Sequence, residues 1–277
     1  MELTDNGAND KPEYYKLLAR PFLVKVLENQ RSLTNPVRKQ AIRAFQAGES
    51  PELDITPEFA YHNSVFHYAS NLIGAISRME EVPIYLRRFP NSKFYNEHGI
   101  TLHKWVNYHY SNYLVVIVSL YDIALLLTNA IFVLGIDPRC CNEKRVAKNR
   151  FVRKTKVKGA LDKLGVAVDD YREPRQLYVH RGRVPSLDFL DELESFRFTQ
   201  EAMEELELER QPTDLSNPLM NPFVVRDLYR HERRKLITQV TQTTSSFVEL
   251  LIEFLDSLFP VYQLFSEYRS ETPPNPA

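Results

Sequence analysis

LHKWVNYHYSNYLVVIVSLYDIALLLTNAIFVLGI, from Leu102 to Ile136, is the longest apolar run in the chain. Within it, Tyr113–Ile136 is long enough to span a bilayer, so the fold turns on whether this segment meets lipid or protein. Asn112, Ser119, Asp122 and Asn129 are spaced seven, three and seven residues apart, which puts all four on one stripe of a helix. A charged Asp122 near the middle is costly in lipid, and there is no second apolar span to shield it. The segment therefore reads as a central helix buried in protein, apolar on most sides, and no membrane association is expected. Two accounts fit the stripe. It supplies buried hydrogen bonds between helices or a self-complementary dimer seam, or Asp122 or Asn129 faces and orients an arginine of the motif described below.

Upstream, Val65, Phe66, Ala69, Leu72, Ile73 and Ile76 follow the 3.6-residue period and predict a one-faced helix starting at Thr56-Pro57. Pro83 and Pro90 bracket Ile84–Phe89 as a short helix or turn. Asn35-Pro36 opens an earlier helix running to about Gly48. Lys11–Arg31 carries Tyr15, Leu18, Phe22 and Val26 at helical spacing, kinked or divided at Pro21. Residues 1–10 are polar and expected to fray.

Downstream, Asp137-Pro138 ends the central helix. Arg139–Lys158 then holds nine lysines and arginines against Glu143 alone. That run is either a solvated face or a guide for a phosphate backbone. Lys158–Leu164 predicts a short helix. From Asp188 to Glu209 nine acidic residues oppose only Arg197, an acidic helical stretch that pairs with the basic run or faces water. Gln211–Pro222 reads as a loop. Val224–Phe259 is a long closing helix with Leu236, Val240, Phe247, Leu251, Phe254 and Leu258 on one side, ended or kinked at Pro260. No segment reads as a strand and no fixed-period repeat occurs. The expectation is an all-α helical bundle with a long central helix and a long C-terminal helix. It comprises an N-terminal helical extension over 1–56, the bundle over 57–268, and a disordered tail over 269–277.

Of 277 residues, 43% are hydrophobic and 26% charged, as in soluble globular proteins. The net charge of −1 excludes a protein that coats nucleic acid through bulk charge, so any RNA site must be a local patch. Only 8 glycines suit long helices joined by few turns. Cys140 and Cys141 are adjacent, where a disulfide would strain the peptide between them, and there is no zinc-ligand spacing. They read as reduced thiols. Met1-Glu2-Leu3-Thr4-Asp5 shows neither a basic nor an apolar signal region, and a cytoplasmic location is expected. His62 and His67, five residues apart, are poorly placed to share a metal. The chain has no glycine-rich phosphate loop, no G-x-S-x-G elbow and no H-E-x-x-H, so neither metal nor cofactor is expected. Trp105, Tyr108, Tyr110 and Tyr113 suit base stacking and core packing alike.

The candidate chemistry gathers in Tyr171-Arg172-Glu173-Pro174-Arg175-Gln176-Leu177-Tyr178-Val179-His180-Arg181-Gly182. Glu173-Pro174 reads as a helix start, with Gly182 and Pro185 as the stop. Arg175 then occupies the first turn, with His180 roughly 7–8 Å further along and about 140° around the axis. A guanidinium and an imidazole so spaced could both reach one phosphate in a cleft. RNA cleavage without a metal needs a base for the 2′-OH, an acid for the leaving 5′-oxygen and positive charge on the phosphate. Histidine can transfer protons near neutral pH, and arginine offers forked donors to phosphate oxygens. One histidine does not readily serve as both acid and base in one pass, but two copies in a dimer would. Gln176 and Tyr178 are candidates for hydrogen bonds to phosphate or ribose, and Arg172 and Arg181 for holding flanking phosphates. The competing structural account pairs Arg175 with a carboxylate and lets His180 cap a carbonyl.

Arg175-x4-His180 resembles the R-x(4–6)-H signature of the HEPN superfamily, the all-helical "higher eukaryotes and prokaryotes nucleotide-binding" domains. Gln176 is polar, as is usual after the arginine, and the motif follows a long helix and precedes others. In outline the resemblance spans residues 60–265. It implies a helical bundle, usually dimeric and often a metal-independent endoribonuclease. Arg175 and His180 from two subunits would form its site. It also implies a toxin or defence effector acting on RNA, with an antitoxin or regulatory protein as partner. Some members carry a tyrosine two residues after the histidine as a target for nucleotidyl transfer. Here that residue is Gly182, so this regulation is not expected. The alternative is a non-catalytic HEPN-like module that binds RNA, a nucleotide or a protein partner.

Overall fold

The structure, a computed structural model, describes residues 11–50, 55–187, 189–205 and 222–271. Its elements are α1 (Tyr14–Leu18), α2 (Pro21–Gln46), α3 (Pro57–Arg87), α4 (Ser92–Glu97), α5 (Leu102–Ile131), α6 (Glu143–Val146), α7 (Lys156–Arg181), α8 (Phe189–Glu205) and α9 (Pro222–Glu271). Single 3-10 turns lie at Pro138–Cys140 and Val152–Lys154. No strand occurs among the described residues, and the chain is the all-α bundle expected. One compact unit comprises Met1–Ser77, Ile117–Asp169 and Ser245–Ala277, and the other Arg78–Val116 and Asp170–Thr244. Helices α3, α5, α7 and α9 each contribute a stretch to both.

In the first unit the N-terminal helices are part of the core. Leu17, Phe22, Leu23 and Val26 are buried. Arg20 pairs with Asp256 of α9, its Nε 2.9 Å from Oδ1. Asn29 donates to the Tyr262 hydroxyl at 3.0 Å, and His62 Nδ1 lies 2.8 Å from the same hydroxyl. Helix α3 starts where Thr56 Oγ1 accepts from the Phe59 N–H at 3.1 Å, an N-cap. Val65, Ala69, Leu72 and Ile76 of its predicted face are buried. Ile117, Leu120, Tyr121, Ala124, Leu127 and Ile131 of α5 are buried with them. The Tyr61 hydroxyl donates to Ile131 O at 3.3 Å, and Lys163 of α7 meets Glu253 of α9 at 2.6 Å.

Helix α5 stops at Ile131, short of the expected Ile136. The chain turns through Val133 at φ +51° and Gly135 at φ +68°. Asn129 fixes that turn, donating from Nδ2 to Ile136 O at 2.8 Å and accepting from the Ile136 N–H at 3.2 Å. The polar stripe is not interior. Asp122 is exposed, and Asn112, Ser119 and Asn129 are half-buried, because the apolar positions around the rest of the helix take the core. Among the described residues α5 is the one helix long and apolar enough to cross a membrane, and 56% of its most apolar window is buried within the chain.

In the second unit Val82, Leu86, Val106, Tyr113, Leu114, Leu190, Leu193, Val225, Leu236 and Val240 are buried. The Tyr113 hydroxyl donates to Val240 O at 3.0 Å, and burial pushes its phenol well above the usual range. Trp105 donates from Nε1 to Tyr85 O at 2.9 Å and lies edge-on to Phe89. Trp105 and Tyr113 therefore serve packing, and Tyr108 alone of the four aromatics is largely exposed, at 59%.

Four prolines read as boundaries lie inside helices. They are Pro36 in α2, Pro83 in α3, Pro174 in α7 and Pro260 in α9. An interior proline costs about 3 kcal/mol through a lost hydrogen bond and a clash with the carbonyl four residues back. For three of them that carbonyl belongs to an exposed residue, Ser32, Asp170 or Asp256, so water can take it. Around Pro83 and Pro260, the buried Val82, Leu86, Leu258 and Tyr262 each contribute roughly 1.5–3 kcal/mol, enough to carry the helix through. The boundaries expected at 36, 83 and 174 thus lie inside continuous helix, and α9, expected to end or kink at Pro260, runs on to Glu271. Pro21, at the first position of α2, does divide α1 from α2. The expected frayed residues 1–10, most of the 211–222 loop and residues 272–277 lie outside the described residues, while 269–271 complete α9.

Candidate functional site

The motif belongs to the second unit and occupies the end of α7, not the start of a short helix. Helix α7 runs unbroken from Lys156 to Arg181. It ends where Gly182, at φ +62°, donates to Tyr178 O at 3.1 Å and Arg183 donates to Leu177 O at 3.2 Å. A φ of that sign suits glycine. His180 and Arg181 lie in the last turn, where positive side chains complement the negative end of the helix dipole. Continuity of the helix preserves the predicted spacing of about 7–8 Å and 140° between Arg175 and His180.

The two residues meet different surroundings. His180 is exposed, as are Gln176 and Arg181. Gln176 stands four residues before His180, on the same face. Arg175, Arg172 and Tyr178 are half-buried. Arg175 Nε is shielded from solvent and has no hydrogen-bond partner among the described residues. A guanidinium N–H held this way costs free energy until an acceptor arrives. No carboxylate pairs with Arg175 among the described residues, so the purely structural ion pair weighed from the sequence does not form there. Asp122 and Asn129 belong to the first unit, and the Asn129 amide closes its own turn.

The basic run is a solvent-facing surface of the first unit. Buried Val146, Val152 and Val157 anchor it, and Arg139, Lys144, Arg145, Lys148, Arg150, Arg153, Lys154 and Lys156 are exposed. Both cysteines beside it are free. Burial, with the Asp122 charge behind it, pushes the Cys141 thiol up to about 11. Of the acids of α8 whose side chains are described, Asp191 and Glu194 pair within the second unit. Glu194 takes Arg197 in a two-pronged bond at 2.9 and 2.6 Å. Asp191 accepts from the Leu187 N–H at 2.8 Å and lies 3.1 Å from His103 Nε2. No cluster of histidines, cysteines and carboxylates among the described residues is arranged to hold a metal ion.

Another feature of the second unit escaped the sequence reading. A cavity of about 540 Å³ is lined by Arg197, Arg226, Arg230, Arg233, His103 and Tyr229, among others. Among the described residues Glu194 is its only acidic lining residue. Burial raises the Glu194 carboxyl, but the Arg197 hydrogen bond and charge, aided by His103 and Thr101, hold it below the ordinary value. Burial lifts the Tyr229 phenol well above its usual range, with the Glu194 charge adding to the effect. The sequence signal was present in Arg226, Arg230 and Arg233, four and three residues apart at the start of the closing helix and therefore on one face.

No protein-family model, curated protein or solved structure matches this chain.

Proposed function

We propose that the chain is a HEPN-type endoribonuclease that cleaves RNA without a metal, using Arg175 and His180 in a dimer. The observation that carries this reading is an exposed imidazole on the same helix as a half-buried guanidinium whose Nε lacks an acceptor among the described residues. On one helix the two residues diverge by about 140°, which favours a site assembled from two copies of α7. In it, one His180 takes the 2′-OH proton and the 2′-oxygen attacks phosphorus. The second copy's His180 donates a proton to the departing 5′-oxygen. The Arg175 guanidinium groups neutralise the charge gathering on the phosphoryl oxygens. The products are a 2′,3′-cyclic phosphate and a 5′-hydroxyl. A toxin or defence role, checked by an antitoxin or regulatory protein, belongs to the same proposal.

The test incubates end-labelled RNA with the protein in EDTA, beside His180→Ala prepared identically. Cleavage by the wild type alone, leaving 2′,3′-cyclic phosphate ends, is the expected result, with the variant reduced at least about 100-fold, as for loss of a general acid–base. Equal cleavage by both removes His180 from the chemistry. RNA binding by the wild type without cleavage would replace the enzyme with a non-catalytic binding module, a reading the divergence of the two side chains also suits.

A further inference from the structure

Neither Arg175 nor His180 lines the arginine-lined cavity of the second unit. Among the described residues its charge is unbalanced. Of the four guanidinium groups, only Arg197 has a carboxylate within the described lining, Glu194. Arg226 and Arg230 share Asp227, at 4.0 and 3.1 Å, but Asp227 is 68% exposed and outside the lining, so water screens the pairing. Arg233 makes no ion pair among the described residues, and its Nε is buried without an acceptor. Burial holds its guanidinium below the ordinary value, Tyr229 opposes that shift, and Arg230 and Arg234 add to it.

Like charges gathered in a part-buried wall are unfavourable unless something negative completes them. Leu102, Leu193, Val225 and Phe89 give the lining an apolar part beside Tyr229, with Asn96 and Thr101 as neutral polar groups. Phe223 lies 5.2 Å beneath the Arg226 guanidinium, a cation–π contact that steadies it. His103, which also lines the cavity, lies with its Nε2 3.1 Å from the Asp191 carboxylate. The volume falls in the range of small-molecule sites.

We propose that this cavity binds a small organic polyphosphate, a ligand with an apolar or flat body and clustered phosphate groups, through Arg226, Arg230 and Arg233. The phosphates take the forked donors of the α9 arginines, and the body packs on Tyr229 and the leucines. The site is independent of the RNA-cleavage reading and stands or falls without it.

The test is calorimetric titration of the full chain with ATP, pyrophosphate and adenosine in EDTA and low salt, with the wild type, Arg233→Gln, Arg230→Gln and Arg234→Gln. Arg234 is exposed and outside the lining, so Arg234→Gln controls for net charge. The expected result is ATP bound more tightly than pyrophosphate and adenosine not at all. Arg233→Gln and Arg230→Gln should each weaken ATP about tenfold, the loss of one charge-assisted hydrogen bond, with Arg234→Gln within about threefold of wild type. Arg230→Gln keeps the test decisive if Arg233→Gln misfolds. No binding of any probe, equal weakening by Arg234→Gln, or equal affinity for pyrophosphate and ATP would each overturn the assignment.

Discussion

His109 lies 4.5 Å from the stacked Tyr85 ring and 4.4 Å from the edge-on Trp105 ring, and its Nε2 is buried with no partner among the described residues. Burial pulls its pKa below the ordinary 6.5. Falling pH thus protonates His109 in the unfolded chain before the folded one. The stability it contributes is present above the unfolded value and is lost as pH falls from there through the folded value. His109→Phe keeps the ring contacts and removes the titration. Its melting temperature should fall less than that of the wild type between about pH 7 and pH 5, and parallel profiles in thermal scans would assign the acid sensitivity elsewhere. Val133 shows a different cost at the same scale. A β-branched side chain in the left-handed region is strained, and the turn tolerates it because the Asn129 amide clasps Ile136 on the other side.

Helices α5 and α7 approach closely where Gly165 faces Tyr121. A Cβ at Gly165 would stand 3.2 Å from the Tyr121 hydroxyl and 3.3 Å from the ring carbon bearing it. Gly165→Ala gains about 1 kcal/mol of helix propensity against that squeeze and should lie near wild type. Gly165→Leu must push the helices apart and should lose about 2 kcal/mol in urea unfolding; unchanged stability would mean the pair does not need this closeness. Helix periodicity was readable directly from the chain. Val65, Ala69, Leu72 and Ile76 of α3 and the Leu236–Leu258 face of α9 are buried as spaced, while Phe66 and Ile73 are half-buried. The helix ends were less readable, because proline reports a local cost while the buried side chains that outweigh it come from distant segments. The same limit governs the motif. Arg175 and His180 were visible as a pair, but placing Arg175 in a first turn trusted Pro174 over the helical pattern before it. Arg226, Arg230 and Arg233 were equally visible, yet their meaning depended on Arg197 and His103 arriving from other helices.

For the whole molecule, the proposed dimeric site has a test that needs no structure of the assembly. Arg175→Ala and His180→Ala are each expected to be inactive alone. Because the proposed site needs the imidazoles of both subunits, unfolding and refolding His180→Ala with an equal amount of wild type should leave about a quarter of the activity of the same total amount of wild type, since half the dimers are mixed and lack one imidazole. About half the activity, in a mixture shown to contain mixed dimers, would mean that one histidine per site is enough. The division of the chain bears on its history as well. The passages between the two compact units, at 77–78, 116–117, 169–170 and 244–245, all fall inside helices. Neither unit could have been acquired or exchanged as a cassette, since recombination would have to rejoin four helices with every turn in phase. Such a chain diversifies by substitution, and its functions are separable by point mutation rather than by truncation.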